Sequence, residues 1–374
     1  MDFHDTGEKK KEMKTILFIA SSLSYGGAEK MLCFVAHGFA EKNYQVVIVN
    51  LQEKKDAQQK ISDRIKIENI HGFNIRYISK LLQVVSLIIK TFKIKPDLII
   101  SFKYTPNYLA TLMGKIFHIP VIISERADPS HGHREDGRAR YYWNLINSAD
   151  GGVFQTEMAK QYYKKHLASK GTVIPNPVFY TDNPNPTTRK KNTIVSIGRL
   201  DNEQKRYDIM LKAFALFHVK YPDYCLKIYG TGNDAELIES MIHDHALEEC
   251  VKLEGYTSEP YRVLSENEIF LITSDYEGIS NALLEAMAAG IPVVSTDSTP
   301  GGAAMLIENR HNGLLVPRGN PEKIAEALEE YAKDELLRNT CGANGKLVCE
   351  KYAPEKILNK WEEYAKKVFD DYTA

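Results

Sequence analysis

Short, uninterrupted runs of apolar residues recur along this chain, each followed by a stretch with helical character. TILFIA (15–20), DLIISF (97–102) and PVIISE (120–125) are examples from its first half. An unbroken apolar run is typical of a parallel strand covered on both faces, because a strand with one wet face alternates apolar and polar residues. Such strands alternating with helices predict an α/β fold built on parallel sheets.

A second series of strands and helices follows a segment (175–192) rich in proline, asparagine, threonine and lysine, which is linker chemistry. Two α/β domains leave a cleft at the carboxyl ends of their strands, where open sheets bind ligands. We therefore predict five parts: a disordered lead-in (1–13), an N-terminal Rossmann-like domain (14–178), a linker (179–192), a C-terminal Rossmann-like domain (193–352) and a final helix (353–374).

Composition excludes several classes of protein. The formal net charge of -1 gives no overall attraction for nucleic acid. Five cysteines without CxxC spacing suit a reducing compartment. No apolar run approaches the ~18 residues of a spanning helix, and the polar opening lacks the apolar core of a signal peptide. We expect a cytoplasmic protein.

The stretch SDYEGISNALLEAMAAGIPVV (274–294) predicts an anion site at a helix start. Ser280 is a good N-cap and Gly290 a helix end, so the first N–H groups of the helix point at any ligand. Glu277 and Glu285 flank that start, and carboxylates accept hydrogen bonds from neighbouring sugar hydroxyls. A ligand that carries phosphate between two hydroxyl-bearing groups, as this site would require, is a nucleotide sugar. The alternative is two surface glutamates that complement the helix dipole.

Cations and glycines follow other strands at the same predicted rim. Arg199 comes directly after the strand TIVSIG, with Lys205 six residues later, and both suit phosphate oxygens. Gly26 and Gly27 lie in the first βα loop, where the absence of Cβ lets backbone approach a ligand; a tight turn is the alternative.

A glycine pattern in the second half resembles a dinucleotide fingerprint. Gly230, Gly232 and Ala235 follow a strand and open a helix, and Glu254 ends a later strand. Against this interpretation, the unit is not the first βαβ of its domain, and Asp234 stands where a pyrophosphate would lie. A nicotinamide-dependent enzyme stays as a minor alternative.

The loop SERADPSHGHRED (124–136) predicts a polar site in the first domain. Two histidines at i, i+2 suit a metal, but the sequence places no third ligand, and Asp-x-Asp is absent from the chain. A solvated loop is the alternative. The residues concerned here are Glu125, Arg126, Asp128, His131 and His133, with Lys103 and Tyr104 at the end of the preceding strand.

The stretch 78–95 predicts an amphipathic helix that packs as a crossover between strands. Its apolar residues are Ile78, Leu81, Leu82, Val85, Ile88, Ile89 and Phe92. The opposite stripe is Ser79, Gln83, Ser86, Lys90 and Lys93. The alternative is a membrane-surface role for the basic side, with Arg76, Lys80 and Lys95 contributing.

Taken together, EGISNALLEAMAAG, GRLDNEQK, YGTGNDAEL and YGGAEK resemble the retaining glycosyltransferases of the GT-B fold, the fourth family of the usual sequence classification. The resemblance runs from about Thr15 to the end of the chain. Its most specific part is the E-x7-E pair, Glu277 and Glu285, with Arg199 and Lys205 at the family's spacing.

The resemblance implies an acceptor-binding first domain, a donor-binding second domain and a final helix that packs back on the first. It assigns the ribose to Glu285, the hexose to Glu277 and the diphosphate to Arg199, Lys205 and Gly27. It also implies retention of anomeric configuration and no metal cofactor. The implied catalytic residues are Arg199, Lys205 and Glu277. The expected donor-binding set is Gly26, Gly27, Gly198, Arg199, Lys205, Tyr256, Glu277, Gly278, Ile279, Ser280, Asn281, Leu283 and Glu285. The expected acceptor or orienting set is Lys103, Tyr104, Glu125, Arg126, Asp128 and His131.

The sequence departs from the family pattern in two places: Glu125-Arg126 stand where many members have histidine, and Ala304 stands where members often have an acid. SERADP and SDYEGISNALLEAMA look most like members that build surface polysaccharides on lipid carriers. We therefore expect transfer of a hexose or N-acetylhexosamine from a UDP-sugar to a glycan or polyprenyl-diphosphate-linked acceptor, with peripheral contact to the inner membrane surface. A nucleotide-sugar epimerase of the same fold, or a non-catalytic scaffold, would also fit these motifs.

Overall fold

The computed structural model describes residues 12–24, 26–52, 61–70, 76–131, 137–180 and 190–374, without the side chains of 76–80, 137 and 138. Three sequence expectations therefore lie wholly or mostly outside the described residues: the lead-in, the central part of the linker and His133.

The first half of the chain forms a seven-stranded, all-parallel sheet in the order β3-β2-β1-β4-β5-β6-β7. Its strands are β1 (Thr15–Ala20), β2 (Gln45–Asn50), β3 (Ile65–Asn69), β4 (Leu98–Phe102), β5 (Val121–Ser124), β6 (Gly151–Phe154) and β7 (Thr172–Val173). The helices of this half are α1 (Gly27–Glu41), α2 (Arg76–Ile94), α3 (Tyr104–Phe117), α4 (Gly137–Ile146), α5 (Glu157–Tyr162) and α6 (Lys165–Lys170). The central strands are fully buried, as their unbroken apolar runs predict.

The second half forms a six-stranded, all-parallel sheet in the order β10-β9-β8-β11-β12-β13. Its strands are β8 (Thr193–Ile197), β9 (Cys225–Tyr229), β10 (Val251–Gly255), β11 (Ile269–Ile272), β12 (Val293–Thr296) and β13 (Leu314–Val316). Its helices are α7 (Asn202–Lys205), α8 (Tyr207–His218), α9 (Ala235–Asp244), α10 (Pro260–Glu266), α11 (Asn281–Ala288), α12 (Gly302–Leu306), α13 (Pro321–Lys333), α14 (Glu335–Gly345) and α15 (Leu347–Lys351). The predicted α/β class with two parallel sheets is confirmed.

Both sheets reverse their strand order at one point, between β1 and β4 in the first and between β8 and β11 in the second. Adjacent loops diverge at such a switch point and leave a crevice beyond the carboxyl ends of the strands. The loops after β1 and β4 carry Gly26, Gly27 and Lys103, and those after β8 and β11 carry Arg199 and Glu277. The topology therefore brings the predicted residues to the two crevices.

The last helix, α16 (Pro354–Thr373), packs on the first sheet rather than on the second. The ring of the buried Trp361 stacks on Phe102 at the end of β4, with centroids 5.6 Å apart. The hydroxyl of Tyr364 accepts the Gly152 N–H of β6 at 2.9 Å and donates to Lys170 O at 2.7 Å. The first domain is thus completed by the far end of the chain.

Helix α2 buries a different face from the one that its sequence predicts. The residues that pack inward are Val84, Leu87, Ile88 and Thr91. Gln83, expected on the solvent side, donates a hydrogen bond to Leu51 O at 2.9 Å. Five residues of the predicted packing face are exposed instead, by 37% to 67%: Leu81, Leu82, Val85, Ile89 and Phe92. The helix is apolar around most of its circumference, so periodicity alone does not identify the buried arc.

Candidate active site

The N-termini of α1 and α11 face each other across the two domains. Ser280 caps α11 as predicted, with its hydroxyl accepting the Leu283 N–H at 3.4 Å. A Cβ added to Gly27, the first residue of α1, would lie 3.3 Å from the side-chain nitrogen of Asn281 in α11. Among the described residues, the N–H groups of Asn281, Ala282 and Gly27 have no hydrogen-bond partner. Unpaired N–H groups at a helix start have the chemistry to bind an anion, and here two helix starts face each other.

Glu277 lies at one side of this site and pairs with Lys205. The Lys205 Nζ contacts Glu277 Oε1, and the two side chains are only 13% and 15% exposed. Ser274 adds a hydroxyl 3.4 Å from the same oxygen, and the Glu277 N–H donates to Thr299 O at 2.7 Å. The carboxylate is therefore held in place beside a cation that could contact a phosphate.

Glu285 lies at the other side and pairs with Lys30 of the first domain, with 3.3 Å between Nζ and Oε1. Burial raises the pKa of Glu285 above its usual range, and the Lys30 ammonium opposes that shift. The nearby hydroxyl of Tyr261 is buried and has no hydrogen-bond partner among the described residues. Burial, and then the charge of Glu285, raise the pKa of Tyr261, so this hydroxyl stays a neutral donor. It is free to bind a polar ligand group.

The remaining predicted donor residues lie at the carboxyl edge of the second sheet. A Cβ on Gly198 would be 3.4 Å from Lys205 Cε, so Gly198 lies directly beside the lysine side chain. The Arg199 side chain is 67% exposed and donates to Gln204 Oε1 at 3.3 Å. Tyr256 follows β10 at the edge of the sheet and is 69% exposed. Arg199 and Tyr256 are thus at the rim, outside the ion-paired centre.

The two domains also touch directly beside Glu277. Gln155, which follows β6, accepts the Ile279 N–H at 3.1 Å through Oε1. A Cβ on Gly278 would lie 1.8 Å from that same oxygen, so any larger residue here would force the buried Gln155 amide to move. His131 of the first domain stacks on Tyr276 of the second, with centroids 4.0 Å apart and an interplanar angle of 12°. These contacts close the cleft next to the predicted hexose site.

Arg126 is a structural cation, which corrects its expected place among the acceptor residues. Its guanidinium lies over the rings of Phe102 and Trp361, with 5.2 and 5.4 Å between Cζ and the ring centroids. It donates to Asn176 Oδ1 at 3.2 Å. Burial lowers the pKa of Arg126 to about 9. The side chain therefore packs against these rings in the interior, where its Nε and Nη2 have no hydrogen-bond partner among the described residues.

Asn176 extends this network to the start of α11. Its side-chain nitrogen donates to Ile279 O at 3.2 Å and to Asn281 Oδ1 at 2.8 Å, while its oxygen accepts from Arg126. Both donors of this amide and one acceptor lone pair are therefore engaged. Asn176 links the buried arginine of the first domain to the start of α11.

Glu125 does not face the cleft either, contrary to its expected role in orienting an acceptor. Tyr163 donates to its Oε2 at 2.8 Å, and the N–H groups of Arg126 and Ala127 donate to Oε1 at 2.9 and 3.2 Å. Burial raises the pKa of Glu125. This carboxyl group fastens the loop after β5 to the interior of the domain.

The other expected acceptor residues follow β4 and β5 at the carboxyl edge of the first sheet. Asp128 accepts from the Ser130 hydroxyl at 2.6 Å and lies 3.3 Å from the imidazole of His131. Burial would raise the pKa of Asp128, but hydrogen bonds from Ser130 and Thr299 outweigh it and lower the value. Lys103 has a φ of 74°, strained for a residue with a side chain, and pairs with the buried Glu29. Tyr104 donates to Ala139 O at 3.3 Å.

The glycine pattern 230–235 packs against the loop after β8 instead of forming a cofactor cradle. A Cβ on Gly230 would lie 1.7 Å from Gly198 O, and one on Gly232 would lie 2.1 Å from Leu200 O. Asp234 accepts the Asn202 N–H at 2.7 Å. These residues shape the loop that presents Arg199, which accounts for the pattern without a dinucleotide. In the part of the chain that the structure describes, no three His, Cys, Asp or Glu side chains group as metal ligands.

Four residues of the site were not predicted from sequence: Lys30, Gln155, Asn176 and Tyr261. Lys30 carried a weak signal, since it lies three residues beyond Gly27 on the same helix. Gln155 follows a buried strand at its carboxyl end, as site residues of parallel sheets do. Asn176 and Tyr261 carried no signal, because their position depends on how the linker and α10 meet α11.

Comparison with known proteins identifies the family. Residues 25–179 match the family model described as Glycosyltransferase Family 4, and residues 181–348 match the one described as Glycosyl transferases group 1. The two models together span nearly all of both domains. The chain belongs to the family 4 glycosyltransferases, and its two facing parallel-sheet domains have the GT-B fold.

Individual relatives agree with this assignment. An uncharacterised glycosyltransferase of Haemophilus influenzae is 25% identical over 94% of this chain and 99% of its own length. A Campylobacter jejuni α-1,4-N-acetyl-D-galactosaminyltransferase, named for a diphospho-undecaprenol-linked acceptor, is 25% identical over 93% of this chain and 97% of its own. Other curated relatives are longer, and the match spans 32% to 53% of their length.

Solved structures show the same fold. Anabaena HepE in complex with UDP and glucose superimposes with a TM-score of 0.79 at 19% identity, covering 94% of this chain and 99% of that one. None of the described helices is both long and apolar enough to cross a bilayer.

Proposed function

We propose that the protein is a retaining glycosyltransferase that moves a hexose or N-acetylhexosamine from a UDP-sugar to an acceptor in surface polysaccharide biosynthesis. The acceptor we propose is a glycan or a polyprenyl-diphosphate-linked saccharide. One observation carries the proposal: the starts of α1 and α11 face each other between two lysine–carboxylate pairs, Lys205–Glu277 and Lys30–Glu285. A dianionic diphosphate flanked by two hydroxyl-bearing sugars matches that alternation of charge.

The ion pairs give each group a role once the donor binds. Lys205 would turn from Glu277 to the phosphate oxygens, which frees the carboxylate for hydroxyls of the hexose. Glu285 would likewise accept from the ribose, with Lys30 and the unpartnered Tyr261 hydroxyl nearby. Arg199 lies at the rim on an exposed side chain and would reach the same phosphates. Each charge is then compensated in the complex as it is in the free protein.

The chemistry follows from this arrangement. The bond between the anomeric carbon and the phosphate oxygen breaks, and a bond to the acceptor oxygen forms on the same face. The acceptor's proton passes to the departing phosphate oxygen, which yields UDP. Lys205, Arg199 and the N–H groups of α11 stabilise the charge that develops on that oxygen, so we propose that turnover needs no metal ion.

The comparisons support the class of donor and acceptor without identifying either. The HepE neighbour was solved with UDP and glucose, and the Campylobacter relative is named for transfer to a diphospho-undecaprenol-linked saccharide. A poly(ribitol-phosphate) α-N-acetylglucosaminyltransferase of Staphylococcus aureus is a further relative over part of the chain. We propose that Lys103, which pairs with Glu29, and Asp128, which lies beside His131, contact the acceptor from the first-domain side.

The test is release of nucleotide diphosphate from a panel of UDP-, GDP- and ADP-sugars in the presence of EDTA. We expect slow release from a UDP-sugar, loss of that release in Glu277→Ala, and unchanged release in Glu239→Ala, a glutamate exposed on α9. The anomeric configuration of the transferred sugar then tests retention. Release that requires a divalent cation would contradict metal independence. Conversion of the donor to another nucleotide sugar without any acceptor would identify an epimerase instead.

A further inference from the structure

The outer face of α2, made of Leu81, Leu82, Val85, Ile89 and Phe92, is a concentrated apolar surface. Leu81 and Phe92 are 67% and 65% exposed, and the other three are 37% to 49% exposed. Five of the seventeen exposed large apolar side chains of the described residues thus lie within twelve positions of one helix. Scattered exposed apolar residues are ordinary, but a contiguous stripe marks an interaction surface.

The fold does not need this stripe for its own core. Helix α2 packs on the first domain through Val84, Leu87, Ile88 and Thr91, on the neighbouring arc of the helix. Positions 81, 85, 89 and 92 recur at helical spacing, so their side chains form one continuous line along the outside. The outer face of α2 is therefore a second apolar face on a helix whose inner face is already packed.

The charge around the outer face of α2 has one sign. Residues 76–95 contain five cations and no acidic residue. The cations are Arg76, Lys80, Lys90, Lys93 and Lys95. Lys90 pairs with Glu68 of β3, which Lys66 also contacts, whereas Lys93 and Lys95 are exposed. The outer face thus has Lys93 beside it and Lys95 at the end of the helix as exposed cations, and its helix carries no acidic residue. That combination complements a surface that is apolar inside and anionic outside.

The helix also lies beside the cleft. Strands β3 and β4 are parallel members of one sheet, so α2 must begin at the carboxyl edge and return to the amino edge. The carboxyl edge holds the active-site loops, and Leu81 and Leu82 lie in the part of α2 nearest to it. A surface covering the outer face of α2 would meet the acceptor side of the cleft.

We propose that the outer face of α2 docks on an anionic lipid bilayer. The apolar side chains enter the boundary between headgroups and acyl chains, and the lysines attract anionic headgroups. The inference goes beyond glycosyl transfer itself, since docking requires neither donor nor acceptor. It gives the proposed lipid-linked acceptor a short route to the cleft.

The test is co-sedimentation of the full chain with vesicles, without nucleotide sugar. Vesicles of phosphatidylcholine with phosphatidylglycerol should bind the protein, and vesicles of phosphatidylcholine alone should bind it at least about tenfold more weakly. Ile89→Ser with Phe92→Ser should reduce binding to the anionic vesicles by about tenfold or more, because two apolar anchors are lost. Lys93→Gln with Lys95→Gln should weaken it and reduce its dependence on salt.

A matched control is Val219→Ser with Leu336→Ser, which removes two apolar side chains that are 84% and 78% exposed elsewhere. This control should bind vesicles as the wild type does, and both serine double variants should release UDP from donor at the wild-type rate. No binding to anionic vesicles, or equal losses in the outer-face and control variants, would overturn the proposal. Light scattering provides a second check. A dimer that the Ile89→Ser and Phe92→Ser changes abolish would also overturn the proposal, because a second copy of the chain would then cover the outer face of α2.

Discussion

Glu285 of α11 and Lys30 of α1 lie on opposite sides of the cleft, with 3.3 Å between Oε1 and Nζ. The pair is one of several contacts that bring the two domains together at the start of α11; the others include Gln155 to Ile279 and Asn176 to Asn281. In the proposed function, a nucleotide replaces the lysine as the partner of the carboxylate. The Glu285 carboxylate therefore serves both the contact between the domains in the free protein and the proposed binding of the donor.

Replacing Glu285 by glutamine should raise the melting temperature at pH 7 and lower the affinity for UDP. Burial raises the folded-state pKa of Glu285. Its contribution to stability is therefore fully present below the unfolded value of about 4.5 and is lost as pH rises through the folded pKa. Glutamine avoids that loss, although it forfeits the Lys30 ion pair.

The measurement is thermal unfolding at pH 4 and pH 7, together with calorimetric titration of UDP. The gain in melting temperature should be larger at pH 7 than at pH 4, and UDP should bind about tenfold or more weakly, since a charged acceptor of the ribose is lost. A lower melting temperature at pH 7 would show that the ion pair outweighs the cost of burial.

Lys205→Ala should reduce turnover by on the order of 10²-fold, because it removes a fixed cation from the position where phosphate charge develops. It also leaves Glu277, a 15% exposed carboxylate, without its ion-pair partner. Steady-state kinetics with a UDP-sugar would measure the effect, with Lys212→Ala on the exposed side of α8 as control. Unchanged kcat in Lys205→Ala would remove this lysine from the proposed mechanism.

Gly278→Ala should reduce kcat/KM by at least about tenfold while each domain stays folded. The new methyl group would lie 1.8 Å from Gln155 Oε1 and 3.0 Å from Arg126 O, so either the Gln155 amide leaves the Ile279 N–H or the domains move apart. Adding Gln155→Ala should restore part of the activity, because it removes the nearer clash. If the double variant were no better than Gly278→Ala alone, the cause would lie elsewhere than in this contact.

Asn176→Ala should lower the free energy of unfolding by about 1–3 kcal/mol, because it removes the Asn176 acceptor of Arg126 and the Asn176 donor to Asn281 Oδ1. Arg126 then keeps the bond to Ile174 O at 3.3 Å. Denaturant unfolding would measure the change, and Asn359→Ala, at an exposed position of α16, is the control. The same variant should raise the KM for donor, since the start of α11 loses its support. Equal stability of the two variants would argue against the network.

Sequence patterns predicted the parts of this molecule that depend on local chemistry. The apolar runs located the strands, and Ser280 with Gly290 located α11, because caps and strand periodicity act over a few residues. The carboxyl-edge position of Glu277, Arg199 and Lys205 followed from the parallel topology alone.

The errors concern burial and contacts between domains. Glu125 and Arg126 follow a strand end like true site residues, yet Tyr163 and the rings of Phe102 and Trp361 enclose them. Those partners are distant in sequence, so no local pattern reports them. Helix α2 was misjudged for a related reason: both of its arcs are apolar, and only the sheet beneath decides which one is covered.

The packing of α16 has a consequence for synthesis. The strands of the first sheet leave the ribosome long before Trp361 and Tyr364, the side chains that cover the end of β4 and hydrogen-bond β6. The second domain, whose segments are all available earlier than α16, can reach its final packing first. The domain that is translated first therefore completes its packing last, when α16 of the same chain covers the end of β4 and bonds to β6.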